Sequence, residues 1–148
     1  MTDQAIAAQT PWEDFQRRCG SIEEFYEFML AYAAQGLSNE DGSLQDGQAR
    51  EFLKRAGAAL SGLADVYASV ITSEKLEAAD RYRAFFEVLK RDASDALAAV
   101  ELVLIQPAIT SQIVDNLNAS LHLRALLTDL FLIDEVVKAR INQKRPQR

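Results

Sequence analysis

The sequence predicts an all-α fold, a helical bundle of about five helices, and one seam of residues is the main reason. Apolar or small side chains recur at gaps of three or four in the second half of the chain, at Ala78, Tyr82, Phe85, Leu89, Ala93, Ala96, Val100 and Val103. This spacing places them on one stripe of an α-helix, and no glycine or proline interrupts it. A lone helix loses more backbone entropy than burial of its seam returns, so it must pack against others.

The length and composition fit one domain. With 148 residues and 49% hydrophobic content, residues 1–148 can bury a core without a metal ion or a disulfide bond. We expect two short N-terminal helices and three long ones, the last two forming an antiparallel hairpin. The segments outside the helices are a loose N-terminal arm at 1–9, an internal loop at 36–47 and a basic C-terminal tail at 142–148.

Two helix starts are predicted near the N-terminus. Thr10 and Glu13 match a capping box, with a proline at the first helical position between them. We expect the helix that they open to end at Gly20. Residues 21–24 repeat the capping pattern, so a second short helix is expected to run from there to about Gln35.

The next two helices follow from periodicity and capping. An apolar stripe over residues 49–70 predicts the third helix, in which Gly62 is tolerated at a cost of about 1 kcal/mol relative to alanine. Thr72 or Ser73 is expected to cap the fourth helix, which carries the main seam over about 74–105.

The last helix is expected to run from Ala108 to about Ile141 and to fold back beside the fourth after Pro107. Its apolar residues fall on two faces that are turned by more than roughly 90° relative to each other. Either this helix kinks near residues 119–123, or its two halves bury against different partners.

The charge distribution argues against nucleic acid as a partner. The chain has 16 basic and 22 acidic residues and a net charge of −6. Five of the basic residues lie between Lys138 and Arg148, which leaves 11 basic against 22 acidic residues in the body of the protein. A cationic helix end without interleaved aromatic residues is what the helix dipole favours, so nucleic-acid binding is not expected.

Cysteine usage and hydropathy predict a cytoplasmic location without membrane insertion. Cys19 is the only cysteine, which excludes an intrachain disulfide, and the first residues do not resemble a secretory signal. The longest wholly apolar run, residues 28–34, is far shorter than the roughly 20 residues that cross a bilayer.

A polar stripe on the last helix is the one candidate for chemistry. A hairpin that turns at Gln106 and Pro107 places His122, the only histidine, opposite Arg91 or Asp92, with Asp95 nearby, and a pair of histidine and aspartate can transfer protons. The candidate polar site comprises Asp92, Asp115, Asn118, His122 and Asp129. The alternative is a solvated edge or a structural histidine, which we favour because no nucleophile accompanies the pair.

Other catalytic patterns are absent from the sequence. There is no glycine-rich phosphate loop and no nucleophile elbow. The residue three positions before His122 is Ala119, where a bundle di-iron site requires glutamate, and Cys19 has no nearby metal-ligand partner. We therefore expect neither a cofactor nor a metal, and we do not expect an enzyme.

The excess of apolar surface suggests an interaction protein. Residues 130–133 cover nearly the whole circumference of the last helix, and the hairpin places them beside residues 82–86. The candidate interface comprises Tyr82, Phe85, Phe86, Leu130, Phe131, Leu132 and Ile133. Unless the N-terminal helices cover this zone, it predicts a non-catalytic adaptor or regulator that binds a protein partner. A homodimer is the expected assembly, and a partner helix is the other protein partner that fits this zone. The alternative function is a sensor or carrier that binds a small apolar ligand.

Overall fold

The structure, a computed structural model, describes residues 9–35 and 43–144, and these form six α-helices without a strand. The helices are α1 (Pro11–Ala34), α2 (Ser43–Leu60), α3 (Leu63–Ser73), α4 (Ala79–Leu104), α5 (Ser111–Ala119) and α6 (Leu121–Lys144). The predicted all-α bundle is confirmed, with six helices in place of about five.

The six helices make four antiparallel rods, because two of the rods are broken. The first rod is α1, the second is α2 with α3, the third is α4, and the fourth is α5 with α6. Arg18 near the start of α1 binds carbonyl groups at the end of α2, and Arg50 of α2 binds the carbonyl of Leu104 at the end of α4. The Lys144 Nζ at the end of α6 donates to the carbonyl of Lys75, just before α4 begins. Each rod therefore runs opposite to its predecessor.

The first rod begins as predicted but does not end at Gly20. The Thr10 hydroxyl accepts from the backbone N–H of Glu13, and the Glu13 carboxylate accepts from the N–H of Thr10, each at 3.1 Å. The predicted break before Ser21 is wrong, and α1 continues through it to Ala34. The reason is an unbroken buried stripe at gaps of three and four: Trp12, Phe15, Cys19, Ile22, Phe25, Met29 and Tyr32.

The second rod breaks where the sequence predicts a continuous helix. Gly62 has a φ of +80°, in the left-handed region that favours glycine, and it separates α2 from α3. The Arg18 guanidinium donates to the carbonyls of Ala58, Ala59 and Ser61, at 3.3, 3.0 and 2.6 Å. A side chain of the neighbouring rod thus binds the carbonyl groups that the end of α2 leaves free.

The third rod is shorter at its start than predicted. Helix α3 continues to Ser73, so neither Thr72 nor Ser73 caps α4, which begins at Ala79. Lys75 and Ala78 have positive φ angles of 51° and 57°, and the segment between them buries Leu76. The seam itself is confirmed in the interior of α4, where Leu89, Ala93, Ala96, Val100 and Val103 are buried.

The fourth rod is broken at Ser120, within the predicted kink region. Ser120 has extended backbone angles, φ −65° and ψ 145°, and its hydroxyl accepts from the N–H of Leu123 at 3.3 Å. The expected hairpin partner of α4 is α6, whereas α5 packs mainly on α1. Both alternatives offered by the sequence therefore hold: the segment is interrupted, and its two halves pack on different helices.

A polar clamp holds the connection between α4 and α5. Arg50 donates to the carbonyls of Leu104 and Gln106 at 2.8 and 2.6 Å, and it pairs with Asp46 at 2.6 Å. Asp46 accepts from the N–H of Ile109 at 2.7 Å, and the Tyr32 hydroxyl donates to the carbonyl of Ile109 at 2.6 Å. Residues 105–110 are thereby held as a longer connection than the turn predicted at Pro107.

The predicted segments outside the helices are partly corrected. The internal loop at 36–47 ends earlier than expected, since α2 begins at Ser43, and the tail at 142–148 begins later, since α6 reaches Lys144. Residues 1–8, 36–42 and 145–148 lie outside the described residues, so most of the arm and the remainders of the loop and tail do too.

We predict that Arg50→Met lowers the free energy of unfolding by roughly 2–4 kcal/mol, because it leaves the Asp46 carboxylate and two carbonyls without their donor. Urea denaturation measures this change. The control is Lys54→Met on the same helix, whose side chain is 64% exposed and lies 3.8 Å from Glu51. It should change the free energy by less than about 0.5 kcal/mol. Equal effects of the two substitutions would contradict the clamp.

Candidate functional site

A groove between the first half of α4 and the second half of α6 is the main candidate site. It has a volume of about 350 Å³ and is open to solvent along one side. Its lining is mostly apolar and consists of Tyr67, Ala78, Arg81, Tyr82, Phe85, Leu132, Ile133, Val136 and Arg140. The groove therefore lies where the sequence predicts that residues 130–133 meet residues 82–86.

The α6 side of the groove arises because residues 130–133 are apolar in every direction. Leu130 and Ile133 are buried at 1% and 2% exposure, whereas Leu132 remains 51% exposed. Val136, one turn after Leu132 on the same side, is 40% exposed. Four rods cannot cover the whole circumference of this helix, so part of its apolar surface faces the groove and solvent.

The structure brings together four of the seven predicted interface residues: Tyr82, Phe85, Leu132 and Ile133 line the groove. Leu130 is in the core. Phe86 packs against the core with Lys90 over its ring, 5.9 Å from the centroid, and it does not line the groove. Phe131 is 58% exposed but lies about 100° around α6 from Leu132, outside the lining.

Tyr67 of α3 fixes the floor of the groove. Its hydroxyl donates to the carbonyl oxygen of Tyr82 at 2.6 Å, and its ring packs against Phe15 of α1 with centroids 6.3 Å apart. Burial raises the pKa of Tyr67 to about 12, so the hydroxyl remains a donor at neutral pH. Three rods are therefore joined at this side chain.

Sequence reasoning did not identify Tyr67, Val136, Arg81 and Arg140 as lining residues. Val136 had a usable signal, since it follows Leu132 by four residues and shares its face. The arginines are exposed and look like ordinary surface residues until the ends of α4 and α6 are placed side by side.

A carboxyl pair lies between α4 and α6, beyond the residues that line the groove. Asp129 precedes Leu132 by about one turn of α6, is 7% exposed, and lies against Asp92 of α4. Its pKa is raised to about 8 by burial, by a hydrogen bond with Asp92 and by the charge of Asp92. Its Oδ2 atom has no hydrogen-bond partner among the described residues. The pair of Asp92 and Asp129 therefore holds a proton near neutral pH, with Asp129 as its main site.

The predicted pairing of His122 with Asp92 is wrong. Asp92 faces Asp129, seven residues further along, because the clamped connection and the break at Ser120 shift the register between α4 and α6. Of the other residues of the candidate polar site, His122 and Asp115 are exposed. Asn118 is buried, and its amide has no hydrogen-bond partner within the described chain. The five residues therefore do not form one constellation.

Cys19 and the remaining acidic residues do not form a metal centre in the described part of the chain. No group of three or more histidine, cysteine, aspartate or glutamate side chains there is placed to hold a metal ion. Cys19 is buried, and burial, with Glu23 and Asp134 nearby, raises its pKa to about 12. The thiolate needed for nucleophilic chemistry is therefore scarce at neutral pH.

Comparison of the chain with models of protein families, with curated proteins and with solved structures found no match to any of the three. None of the helices that the structure describes is long and apolar enough to cross a lipid bilayer.

We predict that Asp129→Asn stabilises the protein progressively as the pH rises from about 5 to about 8. The pKa of Asp129 is near 3.8 in the unfolded chain and near 8 in the folded protein. Between these pH values the folded state therefore binds more protons than the unfolded state. Wild-type stability that depends on this proton is present in full below about pH 4 and is lost as the pH rises through about 8. Asparagine stays neutral and donates to Asp92, so the stability difference should grow by roughly 3–4 kcal/mol over these three pH units, at about 1.4 kcal/mol for each unit.

Urea denaturation of both proteins at the two pH values measures the difference. The exposed residue Asp115 supplies the control, Asp115→Asn, whose stability should follow that of the wild type. A constant offset between Asp129→Asn and wild type across this range would show that the buried carboxyl does not bind the extra proton.

Proposed function

We propose that this protein is a non-catalytic interaction module, an adaptor or regulator that binds a protein partner through the groove between α4 and α6. The observation that carries the proposal is the exposed apolar surface of Leu132 and Val136 beside a groove with partly buried Tyr82 and Phe85. Apolar side chains that line a concave surface favour association, because covering them removes them from water.

The size of the patch favours a short partner segment over a second copy of the chain. Leu132 and Val136 are 51% and 40% exposed, which together is about the surface of one aliphatic side chain, on the order of 100 Å². A stable protein interface buries about 800 Å² on each partner. A homodimer through this groove would need much additional surface, whereas a single helix needs only the groove and its rims.

The runner-up function is that of a carrier for a small apolar ligand, which the groove volume of about 350 Å³ favours. Ligand sites bury most of the surface of their ligand, and a groove that is open along one side does so poorly. We therefore rank the protein partner first. We also propose a cytoplasmic location, since Cys19, the single cysteine of the sequence, is a buried free thiol.

We predict that Leu132→Glu reduces recovery of bound proteins at least about tenfold in quantitative affinity purification with the full chain from native cells. A charged side chain replaces the apolar rim and must lose water on binding, which costs more than the 1.4 kcal/mol that corresponds to a factor of ten. Because the position is half exposed, the stability of the protein should change by less than about 1 kcal/mol.

The matched control is Phe131→Glu, at the adjacent and similarly exposed position outside the groove, and it should leave recovery within about twofold of wild type. Recovery of the same proteins in the same amounts by all three baits would overturn the groove as the binding surface. Sedimentation of the purified chain tests for a homodimer. If the groove joined two copies, the wild type would sediment as a dimer and Leu132→Glu as a monomer.

A further inference from the structure

We propose that the occupant of the groove is an amphipathic helix from another protein, oriented so that acidic side chains at one of its ends lie against Arg81 and Arg140. The proposal rests on the proposed function and adds the chemistry and the direction of the partner. It follows from the distribution of charge along the groove.

Arg81 and Arg140 are the only charged residues among those that line the groove, and both are exposed. Neither forms an ion pair with a carboxylate of the described residues. Glu77 shares a neighbouring depression with Arg140 and Lys144, but it does not line the groove. Two guanidinium groups that have no carboxylate partner in residues 9–35 and 43–144 lie at one end of an apolar groove and attract carboxylates, and arginine binds a carboxylate through two parallel hydrogen bonds.

The positive charge of Arg81 and Arg140 contrasts with the net negative charge of the protein. The chain has a net charge of −6, so an acidic partner is repelled by most of the surface and attracted at this end of the groove. Such a contrast selects the position and direction of a partner more than it adds affinity.

The charge beyond the other end of the groove has the opposite sign. Asp92 and Asp129 lie there, outside the residues that line the groove, and Asp92 is eleven residues from Arg81 on α4, a distance of about 16 Å along the helix. An acidic residue of the partner placed there would face Asp92. The two ends therefore permit one direction of binding, with the acidic end of the partner at Arg81 and Arg140.

The spacing along α6 sets the pattern expected in the partner. Arg140 follows Leu132 by eight residues and Val136 by four, about 12 and 6 Å along the axis. A helix laid along the groove needs apolar side chains at i and i+3 or i+4 for these two residues, and acidic side chains about one turn further on. Because the groove lies between two helices and is open along one side, a helix laid along it contacts both the apolar residues and the two arginines.

The test is a selection from a display library of helical peptides of about 16 residues with randomised charged positions, using the immobilised full chain as bait. Wild type should enrich peptides with the apolar spacing given above and with glutamate or aspartate clustered at one end. The double variant Arg81→Glu/Arg140→Glu should bind a wild-type-selected peptide at least about tenfold more weakly and should itself enrich peptides with lysine or arginine at that end.

Two further baits separate the possible failures. Arg83→Glu, at an exposed position of α4 outside the groove, should leave the affinity of the selected peptide within about twofold of wild type. If Leu132→Glu abolishes peptide binding but the arginine reversals do not alter it, the acidic partner is refuted while the groove remains a docking site.

If no helical peptide is enriched, or if Leu132→Glu leaves binding unchanged, both proposals are overturned. Native mass spectrometry of the full chain supplies the remaining outcomes. A dodecanoate adduct that Leu132→Glu removes, together with failed peptide binding, would assign the groove to a small anionic amphiphile. A dimer that Leu132→Glu dissociates would assign it to a second copy of this chain.

Discussion

The groove depends on a polar clamp at the other end of the bundle. Arg50, paired with Asp46, holds the carbonyls of Leu104 and Gln106, and Asp46 holds the N–H of Ile109. This fixes where the fourth rod starts relative to α4. Since α5 and α6 follow without a further loop, the position of the clamp decides which residues of α6 face which residues of α4, including Leu132 opposite Phe85 and Asp129 opposite Asp92.

The parts of the fold that sequence predicts well are those set by local chemistry and apolar periodicity. The capping box at Thr10, the buried seam of α4 and the break at Ser120 each follow from residue type and spacing within a few turns. The break is instructive, because two apolar faces turned away from each other within one segment cannot both reach a single core.

The errors occur where a distant side chain decides the outcome. Gly20 and Gly62 are both glycines within apolar stripes, yet the first stays helical and the second takes a positive φ. Only the second has an arginine of a neighbouring rod bound to the carbonyls before it. Similarly, Pro107 indicates a turn, but its length is set by Asp46 and Arg50, about sixty residues earlier, so the pairing of His122 with Asp92 fails by two helical turns. The apolar residues 130–133 indicate where the groove lies from sequence alone. Its charged end can be located only when the register between α4 and α6 is known.

The broken rods carry a consequence for local stability. The two continuous helices, α1 and α4, each pack against both parts of the second rod, and the interruptions at Gly62 and Ser120 lie in the other two rods. A helix that is interrupted can lose one segment without unravelling the next, since hydrogen-bond cooperativity stops at the gap. Amide protons of α3 and α5, the two shortest helices, should thus exchange with solvent through openings that leave α1 and α4 intact. The protein can then open locally, one segment at a time. Helix α3, which carries Tyr67 at the floor of the groove, is one of these segments.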